Sequence, residues 1–274
     1  MYTPAAADVA KLRNTTGAGM MDCKKALTEA EGDLEKAIEI LRKKGQKVAA
    51  NRADRESAEG AVIARVNEDH TLGAVISLNC ETDFVAKNQD FVELAYELAE
   101  QAMNYATKEE FLASDFNGMT VADKLIEQTG VIGEKIEIGA FEVLEGPFLS
   151  AYIHAGNKIA AISALSEKVD GAEEIAHAVS MQVAAMNPIA LDETQVSQEI
   201  IDKELEIERE LLTKEGKPAN IIENILKGKL QKFYKENTLV HQAFIKDGHI
   251  SVAEYVRSAN PELKVVGFVR VSLS

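Results

Sequence analysis

Leu34, Ala37, Ile38 and Leu41 recur at i, i+3, i+4 and i+7 behind Asp33, a helix-capping residue. Upstream, Val9 and Leu12 give a first helix a small apolar face, and the glycines of "TTGAGMMD" interrupt it. Asp22 can cap a second helix through "CKKALTEA", and Gly32 closes it. Residues 4–45 therefore predict three short helices, the third ending at Gly45. The polar stretch "QKVAANRADRESAEG" (46–60) predicts a linker or a solvated helix extension. The apolar period then changes from 3.6 to 2. Two β-rich runs around "NEDHT" predict a hairpin, and its second run ends in "NCETDFVAKN" (79–88).

Helical spacing returns from Asp90 through Phe91, Leu94, Ala95, Leu98 and Ala102, and "MTVADKLIEQTG" (119–130) predicts another short helix. Three β-rich runs follow at 134–145, 148–155 and 158–168, then a helix over 171–187 stopped by Pro188. Residues 192–236 are dense in Glu, Lys, Ile and Leu and hold two helical stretches around "EGKP". Gly216 can end the first, and Pro218 suits the first turn of the second. A connection this tight predicts an antiparallel helical hairpin, with apolar pairs at 200/201, 211/212, 221/222 and 225/226 as its seam. "HISVAEYVRSANPEL" predicts a helix up to its proline, and "KVVGFVRVSLS" a last strand. Strands that pair are close in sequence, so the fold class expected is α+β with antiparallel sheets.

Apolar residues make up 46% of the 274-residue chain, enough for one large core or two to three small ones. Against 45 acidic residues stand 30 Lys and Arg, a formal charge of −15, which argues against a nucleic-acid binder. Two cysteines do not make a secreted disulfide framework. "MYTPAAADVAKLRN" lacks the basic start and apolar stretch of a signal peptide, and no 18-residue apolar run occurs. A cytoplasmic protein without a membrane span is expected.

Catalytic patterns are sparse. "GAGMMD" follows a helix and is not GxGxxG; GxxxxGK[ST], HExxH, CxxC and GxSxG do not occur. The five histidines are scattered without metal-ligand spacing, so neither metal nor cofactor is expected. A hydrolase built on Cys80 and His154 is weakened by Glu81, whose charge would raise the thiol pKa. Cys80 reads better as a small buried strand-end residue, and His154 as a half-buried strand histidine. Phe84, at a helix start, would ordinarily face the core, since burying its ring is worth about 2–3 kcal/mol. Asp83 would then be the N-cap, with Thr82 before it.

Two long segments go further. "LRNTTGAGMMDCKKALTEAEGDLEKAIEIL" (12–41) and "NCETDFVAKN" (79–88) resemble the two signature regions of the elongation factor Ts family, in order and correctly separated. The resemblance covers essentially the whole chain. It implies a guanine-nucleotide exchange factor, not an enzyme, whose partner is elongation factor Tu. The implied fold has an N-terminal three-helix module of ubiquitin-associated type (1–53) and two related α+β core subdomains (54–140, and 141–190 with 237–274). A coiled-coil hairpin (191–236) is inserted in the second.

By that resemblance Asp83 and Phe84, flanked by Thr82 and Val85, are the exchange residues, and the ring wedges into the partner's nucleotide-binding domain. Met20, Met21 and Lys24 correspond to contacts of the N-terminal module. Ile132 and Gly133 in "GVIGEKI", His154 in "AYIHAGNKI" and Ile245 in "HQAFIKDG" correspond to further interface positions. Lys246 departs from the more apolar family pattern. Longer members carry a further helical module after the last strand, for which this sequence has no counterpart beyond "GFVRVSLS". The stoichiometry stays open between a homodimer and a two-plus-two complex. A rival expectation is an interaction module without exchange activity, recognising its partner through the N-terminal helices.

Overall fold

The computed structural model describes residues 2–273. Three helices open the chain: α1 (Ala6–Thr16), α2 (Met20–Glu29) and α3 (Leu34–Arg52). They close on Leu12, Cys23, Ala26, Leu27 and Ala37. Asp33 caps α3 as the sequence predicts, accepting from the Lys36 amide. Asp22 caps nothing: α2 starts one turn earlier, after Gly19. Gly45 does not end α3, which runs seven residues further. It is buried inside the helix, where its bare backbone meets Gly130. The first half of the polar stretch 46–60 is thus helix extension.

Strands β1 (Glu59–Val66) and β2 (Leu72–Cys80) form the predicted hairpin, in register from Glu59↔Cys80 to Val66↔Gly73. A one-turn helix α4 (Asp83–Ala86) and α5 (Gln89–Ala102) follow. Next come α6 (Lys108–Ala113), a small hairpin β3 (Asp115–Phe116) and β4 (Met119–Thr120), α7 (Val121–Ile132) and β5 (Glu137–Glu145). α6 and the small hairpin escape prediction, being too short for a periodic signal. β5 joins the far edge of β2, giving an antiparallel sheet in the order β1-β2-β5.

The plan then repeats. β6 (Phe148–Ile153), β7 (Ile159–Leu165) and α8 (Ala172–Met186) lead to a 3-10 turn at Glu193–Gln195 and two long helices, α9 (Gln198–Lys214) and α10 (Ala219–Asn237). A second small hairpin, β8 (Ala243–Phe244) and β9 (Asp247–Ser251), is followed by α11 (Val252–Ala259) and β10 (Val265–Ser272). This sheet is ordered β10-β7-β6, again with the second strand of a hairpin in the centre. The helix expected from His249 starts at Val252 instead. Ser251 and Glu254 form a reciprocal capping box there, and the residues before it pair as a strand.

The two sheets stack face to face. Val62, Ala64 and Val75 of the first meet Leu149, Ala160 and Ile162 of the second. The alternate residues Ala61, Ile63, Ile76 and Leu78 face outward and are covered by Phe91, Leu94 and Leu98 of α5. α8 covers the second sheet in the same way. Both faces of β1 and β2 are buried, which is why their sequences are apolar almost without interruption.

In the hairpin, one member of the 211/212 and 221/222 pairs and both of 225/226 pack inward (Leu212, Ile222, Leu226 and Ile225, with Leu205 beside them). Ile200, Leu211 and Ile221 stay exposed. Ile200/Ile201 is therefore no seam pair, and Pro218 stands at the N-cap rather than in the first turn of α10. Among the described residues no helix is long and apolar enough to cross a membrane.

Candidate partner interface

β2 leaves its sheet at Cys80, and within four residues the chain starts α4. Thr82, not Asp83, holds the N-cap position. Val85 and Ala86 pack onto the first core. On a helix of one turn, that choice sends Phe84 the other way. The ring is 84% exposed, the most exposed large apolar side chain among the described residues. The ordinary core-facing reading of Phe84 is therefore wrong: the first core is filled from this side by Phe91 and Leu94, with Val85 and Ala86 packed against it. Asp83 lies beside Lys87, Oδ2 to Nζ 2.6 Å, and that ammonium holds its carboxyl below the usual range.

The turn before α4 is tied across the molecule by two carboxylates. Glu134 Oε2 accepts from the amides of Glu81 and Thr82 at 3.1 and 3.0 Å, and its Oε1 accepts from Thr82 Oγ at 2.7 Å. Glu81 accepts in return from the Lys135 amide at 2.7 Å and from Arg52 Nη1 at 2.7 Å. The Lys135 amide, with Arg52, keeps the Glu81 carboxyl more acidic than usual. Sequence reasoning missed Glu81, Glu134 and Arg52 as site residues. Long-range pairing of a side chain with a backbone amide leaves no periodic trace.

Ile132 is half-buried at the end of α7, and Gly133 follows it in the left-handed conformation that ends the helix. With Phe84, Ile132 lines an open concavity of about 600 Å³. Gly17, the left-handed residue that ends α1 three positions before Met20, also lines it. Met20 and Met21 are 60% and 64% exposed on the first turn of α2, so they are not core, and Lys24 is exposed one turn later. Phe84, Val85 and Ile132 thus line one concavity, with Thr82, Asp83 and Gly133 next to them in the chain.

His154 stands exposed in the β6–β7 turn, with Nδ1 2.9 Å from the Tyr152 hydroxyl. The same turn carries Lys158, close enough to add to the acidity of Asp83. Ile245 lies in the second small hairpin, 38% exposed, with its amide 2.8 Å from Gln182 of α8. That contact ties it to α8 of the second unit, away from Phe84.

Cys80 is fully buried, its Sγ 3.2 Å from the Thr82 carbonyl. Burial first, then the nearby charge of Glu134, pushes the thiol up to about 12. Glu81, expected to do this, is occupied by Arg52 and the Lys135 amide. A protonated thiol without solvent is no nucleophile, and the nitrogen of His154 that could take its proton is held by the Tyr152 hydroxyl instead, so the hydrolase expectation falls.

Residues 81–274 match the family model described as "Elongation factor TS". The chain belongs to the elongation factor Ts family. It is 65% identical to "Elongation factor Ts" of Christiangramia forsetii over 268 residues, 98% of each chain. Identity to the protein of that name in Flavobacterium psychrophilum is 64% over 273 residues, the full length of both. With the Porphyromonas gingivalis protein it is 48% over 270 residues, 97% of each. Membership places the chain among the translation elongation factors. It also accounts for the α+β organisation with small antiparallel sheets.

Proposed function

We propose that this chain promotes GDP release from elongation factor Tu by driving Phe84 into the partner's nucleotide-binding domain. One observation carries it: a phenylalanine 84% exposed on a one-turn helix whose base is tied down by charged hydrogen bonds. An apolar ring held out in water gains about 2–3 kcal/mol on burial, as an interface anchor does. Bound GDP is held by backbone amides and by Mg²⁺, the largest local charge in such a site. A wedge that shifts the helices carrying that environment weakens both holds without touching the nucleotide. A factor that binds the nucleotide-free partner better than the GDP-bound one favours release, and by linkage GDP weakens factor binding by the same ratio. No covalent bond changes, so the chain acts as an exchange factor rather than as an enzyme.

Thr82, Asp83, Val85, Ile132 and Gly133 flank the wedge. Met20, Met21 and Lys24 extend the contact from the three-helix unit, read as a module of ubiquitin-associated type over 1–53. His154 and Ile245 contact the partner at separate points. The core divides at 54–140 and at 141–190 with 237–274, and 191–236 forms an inserted coiled-coil hairpin. The work is done in the cytoplasm, by a homodimer or in a two-plus-two complex with the partner.

Stopped-flow release of a fluorescent GDP analogue from elongation factor Tu tests this. Wild type is expected to accelerate release, and folded Phe84→Ala to do so far less. Equal acceleration by both would remove Phe84 from the site. No acceleration by wild type would leave an interaction module without exchange activity.

A further inference from the structure

We propose that Glu134 is the positioning residue for Phe84, a role that rests on the wedge reading above. A four-residue helix does not sustain itself in water, and a ring that is 84% exposed adds no burial to hold it. Thr82 sits at the N-cap yet makes no side-chain cap bond. Its hydroxyl is donated instead to Glu134, and two successive amides converge on the same carboxylate. An ionised carboxylate is acceptor-only, so it can take all three donors at once.

The neighbouring residue closes the loop, because the Lys135 amide is donated to Glu81. Each of the two segments therefore grips the other, across 53 positions of sequence. Arg52, the last residue of α3, ties the same knot to the three-helix unit. Without the knot, the residues at the base of α4 keep their backbone freedom. Rotation there re-aims the ring while leaving the cores beneath it intact. The clasp lets Phe84 arrive at the partner already oriented, so its ordering is not charged against the wedging step that follows docking through the other surfaces.

Glu134→Gln keeps the shape but presents an amide group where a donor must be accepted, leaving at least one N–H or O–H unpaired. Its expected effect is a loss on the order of tenfold in the maximal rate of GDP release from elongation factor Tu. The factor concentration giving half that rate should change little. In a Phe84→Ala background the same substitution should add nothing. In the free protein, hydrogen exchange at the Glu81 and Thr82 amides should quicken while the global unfolding midpoint holds. Thr82→Val, which removes only the hydroxyl donor, should give a smaller loss of the same kind. An equal fold-loss in the wild-type and Phe84→Ala backgrounds would overturn the role. So would unchanged exchange of the two amides in Glu134→Gln. Wild-type activity of Phe84→Ala alone would instead sink the wedge, a failure separable from that of the clasp.

Discussion

Strands β2 and β7 hold the same place in their sheets. Each is the second strand of a hairpin and the centre of three strands, and each leads through a loop to a helix that covers the outer face. Each covering helix is followed by a small hairpin and a further helix capped by a hydroxyl, Thr120 for α7 and Ser251 for α11. The two loops end differently. After β7, Val169 turns back onto the core, and Lys168 lies over the Phe148 ring, 6.0 Å from its centroid. After β2, the chain makes an extra helical turn and exposes Phe84. The shared frame supplies rigidity twice, and only one copy of it carries an apolar ring in water. The proposed wedge therefore sits in the connection, not in the sheet-and-helix plan.

The sharpest contrast lies between two phenylalanines of the first unit. Phe111 is fully buried between Tyr105 and Phe141, and Phe111→Ala should lower stability by about 3–5 kcal/mol in a urea titration. Phe84→Ala should change stability by less than about 0.5 kcal/mol, while a partner-binding anchor of this kind is worth about 2 kcal/mol or more in the complex. A large stability loss at Phe84 would mean that the ring packs inward after all.

A smaller effect is expected where α7, unlike α11, receives the three-helix unit. A Cβ on Gly130 would stand 2.5 Å from the Gly45 Cα, so Gly130→Ala must push α3 and α7 away from each other. A loss of about 1–3 kcal/mol is expected in thermal unfolding. An unchanged melting temperature would show that α3 and α7 do not depend on that crossing.

Cys80 marks the end of β2, and its thiol is raised from the ordinary 9.0 to about 12. A raised folded pKa means that this contribution to stability is complete below pH 9 and is lost as pH climbs toward 12. The urea midpoint should therefore fall between pH 8 and pH 11 more steeply for wild type than for Cys80→Ala. Parallel slopes would remove Cys80 as the cause.

The smallest effect expected is none at all. Moving the ring to the second loop, as Lys168→Phe in a Phe84→Ala chain, should leave GDP release where Phe84→Ala alone puts it. Recovery of activity would mean that either loop can present a wedge, and the difference between the two units would lose its meaning.

Much of this architecture was legible in the residues. Helical spacing in α3, α5 and α8, period-2 runs in the sheets and the Asp33 cap each act over a few neighbours, so local order reports them. The duplication was legible too, had "GMTVADKL" been set beside "GHISVAEYV". Gly45 misled because a glycine between helical stretches usually ends one. Here it is spent on the approach of another helix. Sequence by itself determined the longer elements, the antiparallel pairing and, through two signature segments, the family. Only the tertiary structure decided that α4 turns Val85 and Ala86 inward, that Gly45 meets Gly130 and that Glu81 and Glu134 clasp each other's segments. Those outcomes depend on which neighbour reaches a site first across tens of residues, and spacing along the chain does not encode that distance.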